Sequence, residues 1–279
     1  MSDPALVTDR AALARNRARA AAQGFDPFLH SAIADEVEER LAEVNRTFTA
    51  TAVVTGFPAF WAQRFPDAHV IPDGETLVLQ EGAHDLVIHA LCLHWANDPV
   101  GQLIQCRHAL KPDGLLLCAA LGGRTLAELR SAMAEAEVQL TGGLSPRVLP
   151  MGEIRDLGGL LQRAGYALPV ADASPLRATY PNLPALVRDL RSMGEGNAMI
   201  ARARHTPRAL FPLAAAIYAA NFPAEDGRIA ATFETVFLTG WAPADTQPKP
   251  LRPGSAAMRL ADALADARNS GGSPAKGGP

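Results

Sequence analysis

The chain has 279 residues, 48% of them hydrophobic and 20% charged, with a formal net charge of −3. That length and composition fit a globular protein with a sizeable core and one main, decorated domain. The weak net charge gives no global drive toward nucleic acid, and no apolar run reaches the roughly 18 residues that a membrane span needs.

An N-terminal helical extension is expected over residues 1–50. Its first helix runs from about Asp9 to Ala22. Arg15, Arg17 and Arg19 cannot share one helical face. The helix therefore reads either as a solvated cover over the domain or as an electrostatic grip on an acidic partner. The start of the chain lacks an apolar signal core, although its Arg-rich helix imitates an organelle presequence. A second helix, about Pro27 to Val44, carries the apolar stripe Phe28, Ile33, Val37, Leu41 and Val44. Asp35, Glu36, Glu38 and Glu39 form its wet face.

Thr51–Thr55 reads as the first strand and leads into Gly56-Phe57-Pro58. His84–Leu91 is a short apolar run bounded by polar residues, and so a buried strand. Asn97 or Asp98 caps the following helix, with Pro99 at its first position. Pro112-Asp113-Gly114 is a turn, and Leu115–Leu121 is a second buried strand. Strand, helix and strand over about 40 residues make one right-handed βαβ unit of a parallel sheet.

A helix over about Arg124–Leu140 precedes the loop TGGLSPRVLP, and Met151–Gly165 forms another, ended by its glycine. Leu168–Val170 and Leu176–Tyr180 read as strand pieces. A helical insertion over about 182–222 comes before the alternating last strand, Ala231–Pro243. From about 246 the tail is rich in Pro, Gly and Ser, with a helical patch at Ala256–Arg268 and expected disorder beyond Asn269. Cys92, Cys106 and Cys118 lie in the apolar centre, and no two of them form a CxxC pair. They read as buried thiols of a reducing, cytoplasmic compartment.

Several segments carry a family resemblance. DLVIHALCLHW followed by LKPDGLLL resembles the fourth strand, fourth helix and fifth strand of a class I S-adenosylmethionine-dependent methyltransferase. GGLSPRVLP, EIRDLGGLLQRAGY, RDLRSMGEGNA, ATFETVFLTGWAP and KPLRPGSA narrow it to one branch of that superfamily. The branch holds the malonyl-carrier-protein methyltransferases of biotin synthesis. More closely, the chain resembles the methyltransferase-like assembly factors of respiratory complex I, of arginine-hydroxylase type. The resemblance covers most of Arg10 to Ala256.

The resemblance implies an α/β fold, a Rossmann-like sandwich over residues 51–245 whose mostly parallel sheet ends in an antiparallel strand. The insertion would be a cap. It implies S-adenosylmethionine as cofactor and a protein partner, an iron–sulfur subunit of complex I. The chemistry would be methylation or arginine hydroxylation.

The chain departs from the family pattern at the cofactor turn. The superfamily ends its first strand in a glycine-rich turn that lets backbone approach the cofactor, and its second in a carboxylate that accepts from ribose hydroxyls. Here Gly56 is the lone glycine between the first strand and Gly74, and about 30 residues separate Thr55 from Asp85. A full helix, strand, helix and strand need about 50. Either the helix after the second strand or a whole αβ unit is missing. Gly56, Asp73 and Leu93 are the residues expected at the cofactor. The departure also supports a second reading, a pseudo-enzyme that scaffolds a partner.

His94 and Trp95 fall just past the fourth family strand, where the superfamily faces cofactor and substrate. Histidine accepts a proton near neutral pH and Trp offers a flat apolar wall. The alternative is that Trp95 packs on the next helix while His94 satisfies a loop carbonyl. In the cap, Tyr180, Arg188, Arg191, Glu195 and Asn197 are expected to meet substrate or partner. Arg188 and Arg191 are spaced for one helical face. Glu234 interrupts an apolar strand and either faces solvent or receives a substrate guanidinium in the pocket. HExxH, GxSxG and P-loop patterns are absent, and His84, His89 and His94 share no face, so no metal site is assigned.

Overall fold

The computed structural model describes residues 6–203 and 205–247. Its centre is a six-stranded sheet made of β1 (Thr51–Thr55), β2 (His69–Pro72), β3 (His84–Ala90), β4 (Leu110–Leu121), β5 (Ala167–Tyr180) and β6 (Ile229–Trp241). The strand order is β2-β1-β3-β4-β6-β5. The first four strands in that order run parallel, and β6 lies antiparallel between β4 and β5. This is the Rossmann-like sheet with an antiparallel last strand that the motifs imply.

Alternation along the strands builds two cores. Val53, Leu86, Ile88, Leu115 and Leu117 face one layer of helices. That layer comprises α2 (Phe28–Glu43), α3 (Pro58–Arg64), α5 (Ala127–Thr141), α7 (Leu183–Ser192) and α8 (Leu210–Asn221). Ala52, Val54, Val87, Leu116 and Cys118 face the other, made by α4 (Pro99–Ala109) and α6 (Ile154–Arg163). Asp98 caps α4, its carboxylate accepting from the Gly101 N–H at 2.8 Å, with Pro99 at the first position.

The short Thr55–Asp85 segment is accounted for by a missing αβ unit. Residues 73–83 hold neither helix nor strand, and β2 is the edge of the sheet. The connection is clipped to α4 instead. Gln102 Nε2 donates to the Gly74 carbonyl at 2.8 Å, and the Leu77 N–H donates to Gln105 Oε1 at 2.7 Å.

Three details differ from the sequence expectations. The Pro112-Asp113-Gly114 turn is absorbed into the start of β4 as a register shift, with Asp113 at φ +62°. The two strand pieces near residues 168 and 176 are one strand, β5, because β6 pairs with it throughout. The second half of the insertion, α8, packs into the main helix layer and not only over the pocket. The helical patch Ala256–Arg268 and the expected disorder beyond Asn269 lie outside the described residues.

Helix α1 (Arg10–Gln23) has Asp9 as its N-cap, accepting from the Ala12 N–H. Ala12, Leu13, Arg17 and Ala20 form its buried face, while Arg15 and Arg19 are exposed. The helix lies over the C-terminal ends of the parallel strands. There Ala12 and Leu13 join Trp95, Leu149, Ala198 and Met199 in a small third cluster.

Candidate functional site

Leu93–Trp95 forms a single 3-10 turn directly after β3. It brings two side chains to the tail of the cap. Trp95 Nε1 donates to Glu195 Oε2 at 2.8 Å, and His94 Nε2 lies 3.3 Å from the same oxygen. The Leu121 N–H points at His94 Nδ1 at 3.5 Å, so Nε2 is the nitrogen that carries the proton. Burial pushes the Glu195 carboxyl up, but His94, the Arg17 charge and the Trp95 N–H together hold it below the ordinary carboxylate value.

Helix termination delivers Glu195. After Met193 the chain takes φ +79° at Gly194, the Gly194 N–H bonds the Arg191 carbonyl, and the Glu195 N–H bonds the Leu190 carbonyl. This is a Schellman end, which satisfies the last carbonyls of α7 and turns the next residue back toward the helix. A side chain at Gly194 would also strike Phe57 Cζ at 2.6 Å.

Glu195 and Trp95 line a cavity of about 330 Å³. Much of its wall is apolar: Leu126 just before α5, Leu129 and Met133 of α5, Leu149, Leu190 of α7 and Phe233 of β6. Arg147, Arg191 and Arg202 also line it. Two of these cations are already engaged. Arg147 bonds Glu137 at 2.7 Å and Thr206 Oγ1 at 3.0 Å, and Arg202 bonds Asp9 at 2.8 Å. Among the described residues Arg191 makes no ion pair. Asn197 also lines the cavity and donates to the Pro146 carbonyl at 3.1 Å, tying the cap to the TGGLSPRVLP loop.

The crevice at the ends of β1 and β2 is built differently. Asp73, 4% exposed, stands one residue past β2. Arg17 Nη1 donates to its Oδ1 at 2.5 Å, and Arg10 Nη1 to its Oδ2 at 3.2 Å. Arg10 Nη2 also bonds the Asp73 carbonyl. The Arg17 guanidinium lies so close over Gly56 that a methyl group there would overlap it. Phe57 stacks on Phe25 at 4.1 Å and leads into an aromatic wall with Phe60, Trp61 and His30. Trp61 Nε1 donates to His30 Nδ1 at 3.0 Å, and burial pulls the His30 pKa down to about 4.

With α1 docked this way, these residues do not fit S-adenosylmethionine. Both Asp73 oxygens are taken by guanidinium groups, and the open side of the Gly56 turn is covered.

The residues expected at the site from sequence thus fall into three places. His94, Trp95, Arg191 and Asn197 come together around the cavity with Glu195. Gly56 and Asp73 meet under α1, while Leu93 is 2% exposed in the core on the α4 side of the sheet. Tyr180, Arg188 and Glu234 lie outside the cavity lining. The Tyr180 hydroxyl donates to Asp189 at 2.6 Å, and Arg188 is exposed on α7. Glu234 is 7% exposed under the turn after β4, where its Oε2 accepts from the Arg124 N–H at 3.0 Å. A side chain at Gly122 would strike that oxygen, so Gly122 is a glycine to let Glu234 approach.

Sequence reasoning missed the inward turn of Arg10 and Arg17. The one signal was an arginine in register with Leu13 and Ala20, at positions 13, 17 and 20 of a single helical face.

The comparisons agree with this architecture. A methyltransferase-domain family matches residues 32–118. The protein named arginine-hydroxylase NDUFAF5, mitochondrial, of Danio rerio is 40% identical over 197 residues, which cover 71% of this chain and 61% of that protein. Its Homo sapiens counterpart is 37% identical over 197 residues, with 71% and 57% covered. A malonyl-[acyl-carrier protein] O-methyltransferase of Gallionella capsiferriformans is 30% identical over 206 residues, covering 72% of this chain and 67% of that protein. Sheet order, motifs and relatives place the chain in one class: it belongs to the class I S-adenosylmethionine-dependent methyltransferase superfamily. Within that class it is similar to the arginine-hydroxylase NDUFAF5 proteins, of whose length it spans about six-tenths.

Proposed function

We propose that this protein modifies a partner protein during assembly of respiratory complex I, seating one arginine of that partner in the cavity beneath the cap. The chemistry is hydroxylation, as the name of the arginine-hydroxylase relatives suggests, or methylation, the default of the superfamily. The partner is an iron–sulfur subunit, and S-adenosylmethionine is the family's cofactor. The observation that carries the reading is an apolar cavity with one inward carboxylate, Glu195. Its Oε2 holds Trp95 and His94, and among the described residues no hydrogen bond is made to Oε1.

In this reading Oε1 receives a guanidinium N–H in a charge-assisted bond, strengthened by the burial of Glu195, whose side chain is 9% exposed. Trp95 supplies the flat face against which a planar guanidinium stacks. His94 positions Glu195 and keeps it ionised. Arg191, which makes no ion pair among the described residues, favours an acidic residue flanking the substrate arginine. This assigns the guanidinium to Glu195 rather than Glu234, whose Oε2 already holds the Arg124 backbone.

The test is complementation of a strain lacking the protein, with mass analysis of the partner's arginines. Glu195→Gln, checked for folding by its melting curve, is expected to abolish the added oxygen or methyl group and to reduce assembled complex at least tenfold. Wild-type levels of both would sink the reading.

The double clasp of Arg10 and Arg17 on Asp73 favours a second reading, a pseudo-enzyme scaffold. Under it the partner still docks at the cavity but leaves unmodified. We propose for the protein a reducing compartment, the cytoplasm, where free, buried thiols such as Cys92, Cys106 and Cys118 persist. Among the described residues no helix is long and apolar enough to cross a membrane.

A further inference from the structure

The grip of α1 on the crevice is more than packing. Arg17 is 9% exposed, yet its guanidinium has a single carboxylate partner, Asp73, and its Nε has no hydrogen-bond partner among the described residues. Arg10 adds a second cation to the same carboxylate. Two guanidinium groups thus converge on one acid at the end of β2, where a Rossmann-type sheet presents a carboxylate to ribose hydroxyls. A buried donor left without an acceptor is unfavourable, so the docked arrangement carries a defect. Structural need alone does not call for such an arrangement, since Ala12 and Leu13 already anchor the helix in an apolar cluster.

The same helix is stitched to the cap. Thr8 pairs with Met199 as an antiparallel bridge, the Asp9 N–H bonds the Ala198 carbonyl at 2.8 Å, and the Ile200 N–H bonds the Val7 carbonyl at 2.9 Å. Asn16 Nδ2 donates to the Gly196 carbonyl at 3.0 Å. Asp9 bonds Arg202, which lines the cavity. One helix therefore spans the crevice and the wall of the partner cavity.

We propose that α1 is a displaceable latch, in which Arg17 and Arg10 occupy Asp73 as a stand-in for a nucleoside's ribose and must release it before a nucleoside-bearing cofactor can bind. Release also slackens residues 196–202, so loading of the crevice loosens one wall of the partner cavity. The two sites are coupled through the helix, by mutual exclusion at Asp73 and by the shared strand bridge at Thr8–Met199. Neutral hydroxyls compete poorly with two charge-assisted bonds, which keeps the latch closed until ligand is abundant.

The inference uses the family's cofactor but not the partner protein, so its failure leaves the Glu195 test standing. The experiment is calorimetric titration of the full chain with S-adenosylhomocysteine, together with amide hydrogen exchange across α1. Arg17→Ala is expected to bind at least tenfold more tightly than wild type, and Arg17→Lys, which keeps the charge, close to wild type. In wild type, saturating ligand is expected to speed exchange in α1 and in residues 196–202.

Equal or weaker binding by Arg17→Ala overturns the proposal, as does slower α1 exchange with ligand, which would make α1 a clamp. Absence of binding in every variant overturns it too, because something other than the latch would then close the crevice. Should Arg17→Ala not fold, Asp73→Asn takes its place: α1 is expected to exchange faster than in wild type without any ligand, and unchanged exchange rejects the latch.

Discussion

At the ends of β1 and β2 the chain covers its own sheet with a helix, whereas at the ends of β4 and β6 it leaves a cavity of about 330 Å³. The two places differ in what holds their lids. Over the crevice, charge meets charge and aromatic rings fill the rest: Arg17 on Asp73, Phe57 on Phe25, Trp61 on His30. Over the cavity, the lid is pinned around its edge, by Asn197 on the Pro146 carbonyl and by Arg147 between Glu137 and Thr206. A lid held at its edge need not collapse onto its floor, and so a cavity persists between apolar walls rimmed by Arg147, Arg191 and Arg202. The contrast teaches that a fold made for a two-ligand reaction can keep one site open and close the other with its own sequence.

The contrast can be broken at its packed side with the largest effect. Trp61→Ala removes a side chain with no exposure and strands His30 Nδ1, and is expected to cost about 3–5 kcal/mol of stability in urea unfolding. A similar loss follows from acid. His30 is held neutral, its pKa lowered from 6.5 to about 4, so below pH 6.5 the unfolded chain takes up a proton that the native state refuses. Stability therefore falls as pH drops from 6.5 to 4, by on the order of 3 kcal/mol, and His30→Gln should flatten that part of the pH curve.

Gly194→Val tests the seam between the two regions. It asks a branched residue to take φ +79° against the Phe57 ring, and should cost about 1–3 kcal/mol while misplacing Glu195. The smallest effect is expected in the cavity. Phe211 lines it and is 40% exposed, so Phe211→Ala should cost less than about 1 kcal/mol. If Phe211→Ala proved as costly as Trp61→Ala, the two regions would not differ as described.

The βαβ core was readable because its signals are local. His84–Leu91 and Leu115–Leu121 are apolar runs of strand length, and Asp98-Pro99 starts a helix by chemistry confined to four residues. The missing αβ unit was readable from chain length alone, though not which parts were lost. The site was half readable. His94 and Trp95 were in view because they follow a recognisable strand, whereas the glycine that turns Glu195 inward went unread within RSMGEGN. Arg17, by contrast, looked like one more surface arginine in a basic helix.

By itself the sequence determined the order of the elements, the layered sheet, the family, and the turn that carries His94 and Trp95, because each rests on neighbours in the chain or on periodicity. Tertiary structure alone decided that Arg17 meets Asp73 across 56 residues and that Trp95 meets Glu195 across 100. Those contacts depend on where α1 and the end of α7 settle on the sheet. A charged side chain gives no local sign of whether it will find water or a buried partner of opposite charge.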